Sequence, residues 1–475
     1  MMARFLVVLI VAVVLLILLI VRAHFHPVLA LFICGMLAGL GFGYDLETTA
    51  TVFTTGFGNT MTSIACTIIF GSIIAQGIRD TGGVKSMVNF FINLFHGKCL
   101  ELSTALAAFI MSIPVFGDIT QVLLSPIASM LAKRKHISMS TMGGFTLLTA
   151  SLTHAIVPPT PGILAVAVLL EADLGLVILW GIVVSLIAFL ITWALGKGVV
   201  AKEWIEPRAD YIVGVEEVES DDYHELLIKE EGLPNVLMAM APILVPAIII
   251  AASSFVDMYA AEDSMLAIVF SGIGNRNVAL FIGVLLTFLN GILGKDKVIE
   301  NYKFYTGKEE KSLVKIMCNN WIGEACAVAL IPLLVTGMGG GFSQIIKNYD
   351  SVHEGFNTAL GTAVANSGIP VMLVPFLIGA VMMIAVGSRT TAGMTAAAIC
   401  LPMMGQLGLS AVAITLLIGC GTMIGSHVSD SGFWVGTSMY NLNTSQGLKY
   451  ITLLGSVCGV ICFIIAAILL MIGIL

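Results

Sequence analysis

Four short polar clusters interrupt otherwise apolar stretches of the chain, and three of them carry a charged residue suited to ion binding. Residues 114–121 read PVFGDITQ, in which a glycine turn precedes the carboxylate of Asp118. Residues 387–393 read GSRTTAG, in which small and hydroxyl-bearing residues surround the guanidinium of Arg389. A carboxylate can bind a proton or a sodium ion, and a guanidinium can bind a carboxylate through two parallel hydrogen bonds. The alternatives are that Asp118 caps the helix after it, and that Arg389 pairs with Asp118 or Asp430.

The other two clusters each contain a histidine and interrupt a helix. Residues 153–162 read THAIVPPTPG, in which the prolines and the glycine cannot continue an α-helix. Residues 425–433 read GSHVSDSGF, a polar run inside another apolar segment. A helix can break at membrane depth only against protein or water, and the break exposes backbone N–H groups that suit anions. We therefore expect both breaks to line a pocket. A simple kink is the alternative for the first break, and a merely hydrogen-bonded side chain is the alternative for His154.

The candidate site residues all lie in these four clusters. Substrate binding is predicted for His154, Thr160, Gly162, Ser388, Arg389, Thr390, Ser426, His427 and Asp430. Cation coupling is predicted for Asp118, with His154 or His427 as the alternative because histidine changes its charge near neutral pH. Ser426, His427 and Asp430 lie too close in sequence to adopt the geometry of a hydrolase triad, so we do not expect an enzyme.

The composition is that of a membrane protein. Hydrophobic residues make up 58% of the 475 residues and charged residues only 11%, whereas soluble domains carry roughly 25% charged residues. Several apolar runs reach about 18 residues, enough to cross ~30 Å of hydrocarbon as a helix. The run 5–21 is too long for a signal peptide and no cleavage site follows it, so we expect a retained span. The nine cysteines lack a CxxC pair, so no metal or cofactor is expected, and no basic patch indicates nucleic acid.

About ten transmembrane helices and two re-entrant hairpins are predicted from these runs. The spans cover residues 5–21, 27–44, 61–78, 140–171, 174–196, 235–255, 277–294, 322–346, 409–435 and 448–474. The segments 102–132 and 370–404 each carry a polar or glycine-containing break in the middle, and they are predicted to be the hairpins. The predicted fold class is therefore an all-α polytopic membrane protein.

An internal repeat relates the two halves of the chain. Three pairs of positions match in order: Gly117 with Gly387, 153–154 with 426–427, and 178–191 with 452–465. Their offsets are 270, 273 and 274 residues, so the register is nearly constant. The predicted repeats are residues 1–196 and 235–475, joined by an acidic linker at 197–234. Five spans in each repeat require the second copy to be inverted, which is typical of secondary transporters, with a channel as the alternative.

The distribution of basic residues indicates the orientation. With the N terminus outside, the inner loops hold eighteen of the twenty-two Lys and Arg residues. Both termini are therefore predicted to lie outside the bacterial inner membrane, with the first hairpin entering from the cytoplasm and the second from outside. The linker 197–234 has eleven acidic and four basic residues and is predicted to be a solvated cytoplasmic connector, with a docking segment as the alternative.

The four clusters resemble those of the gluconate permease family of proton symporters, within the broader ion-transporter superfamily. The family patterns PxFFE, THxxVPPHPG, GSxTxA and SHVNDxGFW are similar to residues 114–118, 153–162, 387–392 and 426–434. The order and spacing of the motifs extend over nearly the whole chain. Four positions depart from the patterns: Asp118 replaces a glutamate, Thr160 a histidine, Ser429 an asparagine and Arg389 a small apolar residue.

The resemblance implies a symporter for a small hydroxy-monocarboxylate, such as a sugar acid or 3-hydroxybutyrate, or for D-serine in one branch. It also implies a homodimer in which a mobile transport domain moves against a scaffold in an elevator-like way. The expected partners are a small carboxylate, a proton or sodium ion, membrane lipid and a second copy of the chain. The alternatives on the same architecture are a sodium-coupled carrier of carboxylates or dicarboxylates and an amino-acid carrier of the D-serine type.

Overall fold

The computed structural model describes residues 2–218, 222–261, 264–349, 353, 368–427 and 430–475, and within these ranges the regular structure is helical. The helices of the first half are α1 (Met2–Ile17), α2 (Pro27–Phe42), α3 (Leu46–Asp80), α4 (Gly83–Leu94), α5 (Leu100–Met111), α6 (Gly117–Arg134), α7 (Met139–Ile156), α8 (Pro161–Leu169) and α9 (Leu174–Val200). Those of the second half are α10 (Val236–Tyr259), α11 (Met265–Ile273), α12 (Arg276–Leu293), α13 (Lys295–Thr306), α14 (Leu313–Lys347), α15 (Leu373–Val386), α16 (Arg389–Cys400), α17 (Ala411–Gly421), α18 (Ser431–Met439) and α19 (Thr444–Met471).

Eight stretches of the described chain are long and apolar enough to cross a membrane. They are α1, α3, α7 together with α8, α9, α10, α12, α14 and α19. The remaining predicted spans are shorter or divided: α2 has 16 residues, and the segment 409–435 forms the separate helices α17 and α18. The architecture is that of an all-helical, polytopic membrane protein.

The helix α3 is much longer than the span at 61–78 that we predicted, because it extends over 35 residues. Its first turns are rich in threonine and glycine, which lowers their apolar signal, but they pack along α14. A side chain at Gly56 would begin 2.6 Å from the backbone oxygen of Gly340. Glycine at this crossing therefore lets the two long helices approach closely, as small residues do between membrane helices.

The two hairpins and the two broken helices form where the sequence predicted them. Helices α5 and α6 make the first hairpin, and α15 and α16 make the second around Gly387 and Ser388. Gly387 has a φ of 68°, a left-handed conformation that glycine adopts without strain. Pro161 begins α8 after the first break, and Asp430 is the N-cap residue of α18 after the second. Glycine and proline chemistry therefore sets the four interruptions.

Charged segments gather at two ends of the helix bundle. At one end Glu230 of the linker pairs with both Lys85 and Lys297, which extend from separate predicted inner loops. At the other end Lys347, which was predicted to be outside, lies 3.6 Å from Glu171, the last residue of the predicted span 140–171. The loops assigned to the same side of the membrane therefore meet in the structure.

The described part of the linker is largely exposed, and several of its residues also pack on the helices. The amide of Asn89 bonds to both backbone groups of Ile228, at 3.0 Å and 2.8 Å. The backbone N–H of Val218 donates to the carbonyl of Arg134 at 2.8 Å, and Leu226 is buried. These contacts bind the linker to α4 and to the end of α6, which the sequence alone did not indicate.

Candidate functional site

A cavity of about 260 Å³ lies where both hairpins and both helix breaks come together. Its lining consists of Phe116, Gly117, Asp118, Gln121, Ser151, His154, Ile331, Pro332, Val335, Ser388, Arg389, Thr390 and Asp430. Six of the ten residues predicted from the sequence therefore meet at one place. The volume is below the roughly 300–1,000 Å³ of sites for drug-sized ligands, which suits a small ligand.

Three of the segments around the cavity are helix N termini. Helix α6 begins at Gly117, α16 at Arg389 and α18 at Ser431. The first turn of a helix has backbone N–H groups without intrahelical partners and carries a partial positive charge. Their convergence favours a negatively charged group in the cavity.

The charged residues of the lining are one arginine and two aspartates. Arg389 Nη1 lies 3.3 Å from Asp430 Oδ2, and the two side chains are 11% and 6% exposed. The ion pair that was the alternative for Arg389 thus forms with Asp430. Asp118 is in the first turn of α6, but Phe116 holds the N-cap position, and no side-chain cap hydrogen bond forms there among the described residues. The alternative that Asp118 is a helix cap is therefore wrong.

Three buried polar atoms of the lining residues have no hydrogen-bond partner among the described residues. They are Nδ1 of His154, Nε of Arg389 and Oε1 of Gln121. A buried polar group without a partner costs about 1–3 kcal/mol. Because the three atoms belong to different helices, a ligand that bears a carboxylate and several hydroxyl groups could satisfy them together.

Two predicted binding residues of the first break lie beside the cavity rather than in its lining. The hydroxyl of Thr160 donates to the carbonyls of His154 and Val157, at 3.0 Å and 2.9 Å. It thereby satisfies backbone groups freed by the break. Gly162 lines a smaller adjoining pocket together with His154 and Arg389.

Two predicted binding residues of the second break also lie outside the lining. The hydroxyl of Ser426 donates to Asp430. His427 Nε2 lies 3.0 Å from the backbone oxygen of Ile384 in the second hairpin. Ser429, a position that departs from the family pattern, lies outside the described residues. Ser426 and His427 therefore position neighbouring groups in this structure.

Sequence reasoning missed part of the lining. Ile331, Pro332 and Val335 come from α14, where an apolar segment gives no sign that one face borders a polar cavity. Ser151 lies one turn before His154 on α7, and Gln121 lies three residues after Asp118 on α6. The helical spacing of three to four residues could have identified Ser151 and Gln121, since such neighbours share one face.

Membrane-spanning helices that surround a buried, charged cavity at interrupted segments define a membrane transporter rather than an enzyme. Residues 4–472 match the family model described as GntP family permease. The chain therefore belongs to this permease family, and it is a multi-pass protein of the inner membrane. The resemblance found in the four motifs is thereby confirmed.

Two relatives and one solved structure illustrate the similarity. The chain is 27% identical to the gluconate permease of Pseudomonas aeruginosa over 93% of this chain and 92% of that protein. It is 24% identical to the Gnt-II system L-idonate transporter of Escherichia coli over 89% of both chains. It is similar in fold to the YdaH transporter of Alcanivorax borkumensis, with a TM-score of 0.61 and 15% identity over 94% of this chain and 99% of that one.

Proposed function

We propose that this protein is a secondary active transporter that imports a sugar acid or another short hydroxy-monocarboxylate together with a cation. The proton is the first candidate for that cation. The observation that carries the proposal is the single guanidinium of Arg389 beside two carboxylates, at a place where helix N termini converge. A guanidinium can recognise a carboxylate through two parallel hydrogen bonds.

The charges around the cavity supply the reason for coupling. Asp118 and Asp430 contribute two negative charges when ionised, and Arg389 contributes one positive charge. An arriving carboxylate would leave the site with a further excess of negative charge inside the membrane, where unpaired charge is costly. Import against a negative-inside potential also costs about 2.3 kcal/mol per charge and 100 mV. A cotransported cation offsets both costs.

The substrate class rests on the relatives and on the polar groups of the cavity. The proteins named above transport gluconate and L-idonate by their names, and both are polyhydroxylated monocarboxylates. The unpartnered atoms of His154 and Gln121 are suited to hydroxyl groups, while Arg389 is suited to the carboxylate.

We further propose that the two halves are inverted repeats, and that the hairpins and broken helices move as one body against a scaffold containing α3 and α14. This is supported by the direct packing of α3 on α14 and by the packing of each hairpin on a broken helix, while α14 also packs on α16, where the two bodies would meet. The homodimer and the placement of both termini outside remain proposals, the first from the family resemblance and the second from the distribution of charge.

Uptake of radiolabelled gluconate by proteoliposomes tests the function. We expect saturable uptake that an inward proton gradient drives above equilibrium, whereas a sodium gradient alone has little effect. Accumulation driven by sodium instead would identify a sodium-coupled carrier. Uptake that never exceeds equilibrium and does not saturate would indicate a channel. If neither gluconate nor other short hydroxy acids are taken up, the proposed substrate class is wrong.

A further inference from the structure

The carboxylate of Asp430 is paired with Arg389, the residue that is proposed to bind the substrate carboxylate. It accepts hydrogen bonds from the backbone N–H of Gly432 at 2.9 Å and from the hydroxyl of Ser426. Arg389 Nη1 approaches the same carboxylate at 3.3 Å, while Arg389 Nε has no partner among the described residues. Charge-assisted hydrogen bonds are usually 2.7–2.9 Å long. Among the described residues, the guanidinium is therefore held loosely and by one nitrogen only.

A second carboxylate faces Asp430 across a glycine. A Cβ atom on Gly432 would lie 3.0 Å from Asp118 Oδ1 and 3.3 Å from Asp430 Oδ1. The two aspartates come from different elements, α6 and the start of α18, and both line the cavity. The absence of a side chain at Gly432 thus leaves the two carboxylates facing the same small space.

We propose that the substrate carboxylate displaces Asp430 from Arg389, and that the freed Asp430 then takes up the coupling cation together with Asp118. This inference rests on the proposed function, and it adds the step that links anion binding to cation binding. While Arg389 is paired with Asp430, its positive charge compensates the negative charge of one of the two carboxylates. Once the substrate holds Arg389, two uncompensated carboxylates border the same small space, and neighbouring like charges favour uptake of a proton or another cation.

The groups around Asp430 are consistent with this exchange. Asp118 faces it from α6 and Arg389 from α16, while Ser426 and His427 belong to its own segment. His154 lines the same cavity from α7 and is the other group that could accept a proton there. Asp430 keeps its hydrogen bonds from Ser426 and Gly432 when Arg389 leaves, so its position does not depend on the arginine. In the proton case, the step is the formation of one O–H bond on an aspartate oxygen by a proton taken from the aqueous solution.

Calorimetric binding of gluconate to the purified protein tests the exchange. Repeating the titration in buffers of different ionisation enthalpy gives the number of protons taken up with each gluconate. We expect net proton uptake by the wild-type protein, and a gluconate affinity that rises as the cation site fills, by roughly 5- to 150-fold, the usual range of coupling between two sites. In Asp430→Asn, gluconate should bind at least as tightly as in the wild type, without proton uptake and with a coupling factor of about one.

The matched control is Asp173→Asn at the start of α9. Asp173 is also an N-cap aspartate that accepts bonds from a backbone N–H, at 2.8 Å from Leu176, and from a serine hydroxyl, at 2.6 Å from Ser254. It lies outside the cavity lining, and asparagine is as good a cap as aspartate. This variant should keep both gluconate affinity and proton uptake.

Each outcome of the titrations decides between the alternatives. Undiminished proton uptake in Asp430→Asn would overturn the exchange and favour His154, and loss of gluconate binding would show that Asp430 contacts the substrate instead. Sodium-dependent binding that Asp430→Asn abolishes supports the exchange with sodium as the cation. Wild-type binding that depends on neither ion overturns it.

If Asp430→Asn does not fold, Asp118→Asn must reduce the cation uptake per gluconate, and full uptake would overturn the proposal. Failure of the wild type to bind any hydroxy acid would instead refute the proposed function.

Discussion

The Cα atom of Thr390 lies 3.2 Å from the position that a Cβ atom on Gly162 would occupy. Gly162 is in the first turn of α8, directly after the proline break, and Thr390 is in the first turn of α16, at the tip of the second hairpin. The broken helix of the first half therefore touches the hairpin of the second half through a position without a side chain. Arg389 lies beside this contact, so the contact helps to fix the guanidinium in the cavity.

We predict that Gly162→Ala weakens gluconate binding without preventing folding. The added methyl group would meet backbone atoms, which yield less readily than a side chain, and overpacking costs about 1–3 kcal/mol. If this strain displaces the hairpin tip, affinity falls by roughly 5- to 150-fold. Equilibrium binding to the purified variant measures the effect. Gly323→Ala on α14 is the control, since a side chain there meets nothing within 4 Å. Equal affinities in the two variants would contradict the prediction.

The four interruptions of the membrane helices could be predicted from the sequence because their chemistry is local. Proline removes a backbone donor, and glycine permits the conformation at Gly387. The meeting of Asp118, Arg389 and Asp430 in one cavity followed from the expectation that such breaks avoid lipid. These features depend on residue type at a few neighbouring positions.

The remaining features depend on contacts between distant segments. The first turns of α3 are polar by composition and become a helix within the bundle because Gly56 allows close packing on α14. The linker is acidic by composition, yet Asn89 binds its backbone at Ile228. The pairing of Arg389 with Asp430, rather than with Asp118, also needed three-dimensional distances. Composition and periodicity contain no direct information on such pairs.

We predict that Arg389→Ala loses gluconate binding while the protein still folds and inserts. A hydrogen bond to a charged group contributes about 1.5–3 kcal/mol, which corresponds to a loss of roughly 10- to 150-fold in affinity. Arg389→Lys should rescue only partly, because an ammonium group cannot form the two parallel hydrogen bonds. Thermal-shift titration with gluconate measures the affinities, and size-exclusion chromatography reports folding. Arg276→Ala, outside the cavity lining, is the control. Wild-type affinity in Arg389→Ala would show that the arginine is only structural.

The attachment of the linker to α19 should be insensitive to pH over the physiological range. Hydrogen bonds from Lys449, Tyr450 and Gln446 lower the pKa of the Glu203 carboxyl to about 2, from an ordinary value of 4.5. Because the carboxyl has a lower pKa in the folded state, its interactions stabilise the folded state fully at pH values above 4.5. This stabilisation is lost as the pH falls from 4.5 towards 2. Exposed ion pairs contribute about 1 kcal/mol or less. We expect Glu203→Gln to lower the melting temperature slightly in detergent, equally at pH 8 and pH 6. If the difference in melting temperature between Glu203→Gln and the wild type is present at pH 8 but absent at pH 6, the pKa of Glu203 is not lowered in this way.

The orientation can be tested with single cysteines in a variant that lacks the native ones. Val213 in the linker is 82% exposed, and Met265 at the start of α11 is 83% exposed. With both termini outside, an impermeant maleimide should label Met265→Cys in intact spheroplasts and Val213→Cys only after permeabilisation. The opposite labelling would place the linker outside and reverse the topology.

Asp118 should separate energy coupling from substrate recognition. Its carboxylate lines the cavity but is not the cap of α6, so its charge is available for a cation. Asparagine has nearly the same shape as aspartate and cannot take up a proton at neutral pH. We therefore predict that Asp118→Asn loses gradient-driven accumulation of gluconate in proteoliposomes, while exchange of internal for external gluconate continues. Because Asp430 still competes for Arg389 in this variant, its gluconate affinity should not exceed that of the wild type. Accumulation that persists and still depends on the proton or sodium gradient would exclude Asp118 from coupling and make His154 the next residue to test.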